Sequence, residues 1–139
     1  MKKLFSYVGL SLMMVLMTGV LTAAAPAPTV EFTLVQGLPS TMHVGDTYTV
    51  VVQVTSDVPF TSVQAMPNPH YPGKGVVPVM GGDHAGAGTS ATVEVTFTAK
   101  SLPVKLPDSK DIMDVVVGAR YQGGVLVVQY FHFEVTILP

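Results

Sequence analysis

The stretch Thr47-Tyr48-Thr49-Val50-Val51-Val52-Gln53-Val54-Thr55 decides the fold. Its apolar residues recur at every second position, which is the period of a strand with one buried face. The dipeptide Gly45-Asp46, just before it, is a turn signal. The stretch therefore predicts a β-strand that begins after a turn and buries Val50, Val52 and Val54.

The same alternation recurs along the rest of the chain, and no 3.6-residue apolar period follows residue 25. The further alternating blocks are Val30–Leu34, Thr92–Thr98, Met113–Tyr121 and Val125–Leu138. They predict an all-β fold, an antiparallel β-sandwich of six to eight strands in a Greek key. The residues expected to be almost fully buried are Val52, Val95, Phe97, Val117 and Phe133.

The last block contains a break in its alternation. Val125 to Val128 are apolar on both faces, and Gln129 interrupts the phase. We expect a β-bulge near Gln129–Tyr130 to restore the alternation. Gly123-Gly124, before this block, predicts a two-residue hairpin turn.

The phrase from His43 to Thr55 resembles the second-strand signature of bacterial immunoglobulin-like domains, the fibronectin-III-like and adhesion-related modules of exported proteins. The segment from Val115 to Ile137 is similar to their last two strands. The resemblance implies one immunoglobulin-like sandwich over residues 25–139 with a binding or scaffolding role, and it carries over no functional residues. The cysteines and core tryptophan of antibody domains are absent.

The N-terminus has the three parts of a secretory signal: Lys2 and Lys3, an apolar run to Leu21, and Thr22-Ala23-Ala24-Ala25. Cleavage after Ala24 is expected, since cleavage after Ala25 would put the rigid ring of Pro26 at the scissile bond. Residues 1–24 are therefore predicted to be a removed signal peptide and the protein to be secreted or periplasmic. An uncleaved N-terminal anchor is the alternative, because the apolar run approaches the length of a membrane span.

Composition excludes several classes of function. The expected mature chain has five bases against nine acids, a formal net charge of −4, which argues against nucleic acid and anionic membranes as partners. No cysteine is present, so there is no disulfide, thiol nucleophile or thiolate metal ligand. No catalytic motif is recognised, and the protein is predicted not to be an enzyme.

Residues 66–90 form a Gly- and Pro-rich insertion with little strand pattern. Only the stretch from Val76 to Met80 is predicted to form a short strand there, and Pro78 confines that strand to a sheet edge. The segment holds a possible copper set, because imidazole and thioether suit Cu(I) and Asp83 adds an oxygen. The four proposed ligands are Met66, His70, Met80 and His84. The alternative is that both histidines are solvated loop residues and both methionines fill the end of the core.

Some apolar residues lie at strand positions that the alternation assigns to the polar face. Others lie in a strand that is apolar on both faces. Such strands require cover on both sides, from a loop or from another protein. The predicted partner surface is Val51, Val116, Val125 and Val127. The leading hypothesis is therefore a non-enzymatic sandwich that binds another exported protein, or itself, in the periplasm or at the cell surface.

Two weaker alternatives remain. A carbohydrate-binding module would present a row of aromatic side chains, for which Tyr71, Tyr121 and Tyr130 are the candidates. Asp111 and Asp114 could contribute to a calcium site in the turn around Lys110, although a solvated turn is the simpler interpretation.

Overall fold

The computed structural model describes residues 27–68, 76–78, 82–103 and 110–139. Within these ranges the protein is all-β, and no helix long and apolar enough to cross a membrane is found. The strands are β1 Val30–Gln36, β2 Thr41–His43, β3 Thr47–Phe60, β4 Ser62–Asn68, β5 Val76–Pro78, β6 Asp83–Ala85, β7 Gly88–Ala99, β8 Lys110–Arg120 and β9 Leu126–Leu138. The described residues thus contain nine strands rather than the predicted six to eight, three of them only three residues long.

The strands form two sheets. The four-stranded sheet has the order β1-β3-β7-β5, and the five-stranded sheet has the order β2-β9-β8-β4-β6. All neighbours are antiparallel except β2 and β9, which are parallel. The predicted signal peptide, residues 1–24, lies outside the described residues.

One hydrophobic core joins the two sheets. Val50, Val52 and Val54 of β3 are buried, as their alternation predicts. The five residues expected to be most buried are confirmed, with Phe133 the most exposed of them at 8%. The largest fully buried side chains are Phe60, Phe97, Met42, Ile137, Val50, Val52, Val54, Val63, Val93, Val115, Val117 and Val135.

Three strands, β2, β4 and β6, have no counterpart among the predicted blocks. β2 contributes the fully buried Met42, and β4 contributes Val63 and Ala65. β2 is too short to show a period, and β4 has a small Ala in its apolar phase and ends in Pro67-Asn68. β2 pairs with β9 at the edge of the sheet, β4 pairs with β8 on one side and β6 on the other, and the core covers one face of each strand.

The β8–β9 hairpin corrects two predictions. Its register is continuous from Lys110↔Thr136 to Arg120↔Leu126, so the bulge expected near Gln129–Tyr130 is absent. The connection between the strands runs from residue 121 to 125, where a two-residue turn was predicted. The Gly124 N–H donates to the Tyr121 carbonyl over 3.2 Å, and both glycines have positive φ angles.

Asp111 and Asp114 lie in β8 rather than in a solvated turn. Asp111 points into the core side and is 2% exposed, whereas Asp114 is on the outer face. Residues three apart on a strand point to opposite faces, so the two carboxylates cannot share a calcium ion. Asp108 lies outside the described residues.

The described part of the segment 66–90 is more regular than predicted. β5, described over Val76–Pro78, is an edge strand, as Pro78 predicts, and β6 pairs with β4. The Asp83 carboxylate accepts N–H bonds from His84 over 2.8 Å and from Glu94 over 2.9 Å. Asp83 thereby connects the edge of the five-stranded sheet to β7 in the other sheet.

Candidate functional site

The outer face of the five-stranded sheet carries a group of exposed apolar side chains. Alternation in β8 and β9 sends odd-numbered residues into the core and even-numbered residues outward. On this outward phase Tyr130 is 58% exposed, Leu126 50%, Met66 44% and Val128 39%. The core phase of the same strands is already filled, so these side chains lack cover from the described part of the chain.

The register aligns these residues in rows across three strands. Met66 pairs with Val116, which pairs with Tyr130. Gln64, Gly118 and Val128 form the next row. Ser62, Arg120 and Leu126 form the row after that. We call the set Met66, Val116, Gly118, Leu126, Val128 and Tyr130 the apolar face.

Gly118 makes the apolar face concave. A concavity of ≈ 160 Å³ lies over it, lined by side chains of β4, β8 and β9. A Cβ added at Gly118 would lie 3.2 Å from Leu126 Cδ1 and 3.8 Å from Val128 Cγ2. The missing side chain therefore provides a shallow recess between apolar walls.

Charged residues flank the two ends of the apolar face. Arg120 is exposed at the end near the β8–β9 turn. At the other end, His132 Nδ1 lies 2.6 Å from Asp114 Oδ1, and His132 Nε2 lies 3.9 Å from Glu134 Oε1. The face is thus basic at one end and mainly acidic at the other.

The outer face of the four-stranded sheet is chemically different. Thr47 pairs with Thr98 through hydroxyl groups 2.9 Å apart, and Thr49 pairs with Thr96 over 2.8 Å. Polar cross-strand pairs of this kind are satisfied without a partner. This face provides an internal control for experiments on the apolar face.

The structure separates the four residues predicted as a partner surface. Val116 lies in the apolar face. Val125 is exposed in the β8–β9 connection, next to Leu126 of the apolar face. Val127 points inward and packs, partly buried, against the core. Val51 lies on the outer side of the four-stranded sheet, opposite Glu94.

The predicted partner surface omitted Leu126, Val128 and Tyr130, the exposed apolar members of β9, although Leu126 and Val128 belong to the stretch noted as apolar on both faces and Tyr130 was a candidate for carbohydrate binding only. The alternation of Phe133, Val135 and Ile137 already indicates that the odd-numbered residues of β9 face the core. Extending that phase back through β9 without a bulge turns the even-numbered residues outward. The expected bulge at Gln129 hid this result.

The predicted copper ligands are placed only in part. Met66 lies in β4, and His84 is exposed in β6 opposite Gln64, so the two are diagonal neighbours on the outer side of the sheet. His70 and Met80 lie outside the described residues. The Asp83 carboxylate oxygens already accept backbone N–H bonds from His84 and Glu94. No group of three or more His, Asp or Glu side chains suited to a metal occurs among the described residues.

The carbohydrate alternative loses one of its aromatic residues. Tyr121 is 4% exposed, and its hydroxyl lies 2.7 Å from the Ser56 hydroxyl. Tyr130 is exposed, and Tyr71 lies outside the described residues. A row that includes Tyr121 is therefore excluded.

Comparison with known proteins assigns no family. No protein-family model matches the chain, and no curated protein matches it. The functional argument therefore depends on the geometry of the described residues.

Proposed function

We propose that this chain is a non-enzymatic, exported, immunoglobulin-like β-sandwich that binds another protein through its apolar face, in the periplasm or at the cell surface. The observation that carries the proposal is the alignment of Met66, Val116, Val128 and Tyr130 across three paired strands. Contiguous exposed apolar patches of this kind are typical of protein interaction sites.

The strand order supports the immunoglobulin-like assignment. Within the described strands the chain passes from the four-stranded sheet to the five-stranded sheet four times, between β1 and β2, β3 and β4, β5 and β6, and β7 and β8. In the first sheet β3 and β7 are neighbours, and in the second β4, β8 and β9 are consecutive. This order resembles the Greek-key arrangement of immunoglobulin-type sandwiches, and the resemblance supports the proposed assignment.

Export is supported by the residues at the N-terminus. Two lysines, an apolar run and a small-residue segment precede the described domain. A domain that has no cysteine and depends on its core alone for stability is compatible with both the periplasm and the cell surface.

The composition of the apolar face fits protein recognition. Binding energy in interfaces concentrates in a few residues, with Tyr and Arg enriched, inside a polar rim. Tyr130 is the most exposed member of the face, the recess over Gly118 lies beside it, and Arg120 is at the rim. Burial of this face against a partner would remove its apolar area from water, which is favourable.

Site-specific photo-crosslinking tests the proposal. A photoreactive residue is placed at Val128 in the full chain expressed in its own host, and at Thr96 on the opposite face as control. We expect the photoreactive residue at position 128 to give a discrete protein adduct. Position 96 should give none, and Gly118→Glu should abolish the adduct at position 128. Adducts of equal yield at both positions, or none at 128, would contradict the proposal.

A second candidate function is copper binding. The observation that favours it is the diagonal placement of Met66 and His84, since residues placed diagonally across two paired strands are about 7–8 Å apart, within reach of long side chains. Copper bound only to the folded chain would add about 4 kcal/mol of stability at a thousandfold excess over Kd.

Thermal unfolding with Cu(I) separates this candidate from the first. A rise in Tm that is lost in the double variant Met66→Ala, His84→Ala and kept in His43→Ala would support copper binding. Identical melts with and without Cu(I) would exclude it.

A further inference from the structure

We infer that the protein covering the apolar face is a second copy of this chain, joined in a two-fold symmetric dimer. This inference rests on the proposed function, since it uses the same face. It names the partner, which the proposed function leaves open.

The positions of two opposite charges suggest the symmetry. Arg120 lies four residues from Val116 along β8, and Glu134 lies four residues from Tyr130 along β9. Val116 and Tyr130 are directly paired, and the two charges are displaced from that row in opposite directions. Arg120 and Glu134 are therefore equally distant from the central row Met66–Val116–Tyr130.

A two-fold axis can lie in the plane of the interface, along the central row and perpendicular to the strands. Because Arg120 and Glu134 are equally distant from that row, such an axis brings their rows opposite each other. It turns the second copy so that its strands run in the opposite direction. Arg120 of each copy then faces the row that contains the partner's Glu134, which gives two symmetric charge pairs. An isologous contact needs this kind of self-complementarity.

The remaining residues fit the same arrangement. The central row meets its own copy, so that Met66, Val116 and Tyr130 form an apolar centre between the two charge pairs. Tyr130 lies one row from the partner's Gly118, next to the recess that the missing side chain creates. Lys110, one row beyond Glu134, is placed outside the charge pair at the rim.

The size of the face predicts a weak dimer. The rows from Arg120 to Glu134 span about 27 Å, and β4, β8 and β9 together are roughly 10–15 Å wide. Such a patch covers roughly 270–400 Å², which is less than the about 800 Å² that each partner buries in a standard specific interface. The dimer is therefore expected to dissociate on dilution.

Charge reversal tests the inference with the full mature chain in sedimentation equilibrium over a range of concentrations. We expect a reversible monomer–dimer equilibrium at low salt. Arg120→Glu alone and Glu134→Lys alone should each weaken dimerisation at least tenfold. A mixture of the two variants should restore dimers, because the reversed charges pair only between the two different chains.

Glu94→Lys is the matched control, since it makes the same charge change on the opposite face. It should leave dimerisation unchanged. Circular dichroism and urea unfolding of each variant check that it is folded, and recovery in the mixture cannot come from misfolded chains.

The possible failures are distinguishable. A wild-type chain that stays monomeric at millimolar concentration overturns the inference, as does a dimer insensitive to both reversals. If a monomeric chain still gives a Val128 adduct with a different protein, the second-copy inference fails and the proposed function stands. If it gives no adduct at Val128, both fail.

Discussion

Asp111 shows how one residue links the two sheets. Its carboxylate lies on the core side of β8 and is 2% exposed. Its Oδ2 accepts the Val76 N–H from β5 over 2.8 Å, and its Oδ1 accepts the Ile112 N–H over 2.9 Å. A buried charge is tolerated only when it is hydrogen-bonded, so these two donors explain why an acid occupies an otherwise apolar phase.

Replacement of Asp111 by Ala should destabilise the protein. The Val76 and Ile112 N–H groups would lose their acceptor inside the fold, and a buried unsatisfied donor costs about 1–3 kcal/mol. Asp111→Asn should cost less, because the amide keeps one acceptor oxygen. Urea unfolding of the three proteins measures the difference. Equal stability of Asp111→Ala and wild type would show that this link between the sheets contributes nothing.

Phe97 is the residue on which the core depends most clearly. It is fully buried in β7, opposite Tyr48 of β3. Phe97→Ala should cost about 3–5 kcal/mol, since it removes a large ring and leaves a cavity. Thr98→Ala on the outer face is the control, and it should cost far less. A loss below about 1 kcal/mol for Phe97→Ala in urea unfolding would contradict the assigned packing.

Among the elements, the β8–β9 hairpin determines where the apolar face lies. Its unbroken register places Val116 beside Tyr130 and Gly118 beside Val128. The turn that sets this register contains Gly123 at φ 85° and Gly124 at φ 83°. Only glycine adopts such angles without steric cost, because it has no Cβ.

Substitution of either turn glycine should weaken the hairpin. Gly123→Ala or Gly124→Ala forces a Cβ into the left-handed region, at a cost of about 1–2 kcal/mol. Neither added Cβ meets an atom within 4 Å, so the effect is conformational rather than steric. Gly86→Ala is the control, since that position has open space and no positive φ. Thermal unfolding should show a lower Tm for the two turn variants and no loss for the control.

At the scale of the whole molecule, one core holds the two sheets without disulfide help. Residues from β3 and β7 of one sheet and from β4, β8 and β9 of the other belong to a single buried cluster. The proposed export depends on residues 1–24, which precede the described domain. A removable signal peptide and a retained anchor lead to different molecules.

Intact-mass measurement of the exported protein decides between them. We expect the mature chain to begin at Ala25, since this cleavage keeps Pro26 away from the scissile bond. The species should be recovered in the soluble envelope fraction or the medium. A mass that includes Met1 to Ala24, found with the membranes, would show that the segment is an anchor.

The sequence alone determined the all-β class, six of the strands (β1, β3, β5, β7, β8 and β9) and the inward phase of the core. These features are local, because the alternation at Val50, Val52 and Val54 identifies the apolar side of β3 wherever that strand lies in the fold. The same local information was insufficient for β2 and β4. Their existence depends on pairing with β9 and β8, which are distant in the chain.

Only the tertiary structure decided where the exposed apolar residues come together. Val51 and Val116 look equivalent in the sequence, because both are apolar on a polar phase, yet they lie on opposite outer faces. Asp111 and Asp114 likewise look like one acidic turn, yet the strand directs Asp111 into the core and Asp114 to the outer side of the sheet, where it contacts His132. The physical reason is that an interaction face consists of neighbours from different strands, and register between strands is fixed by pairing across the sheet rather than by adjacency along the chain.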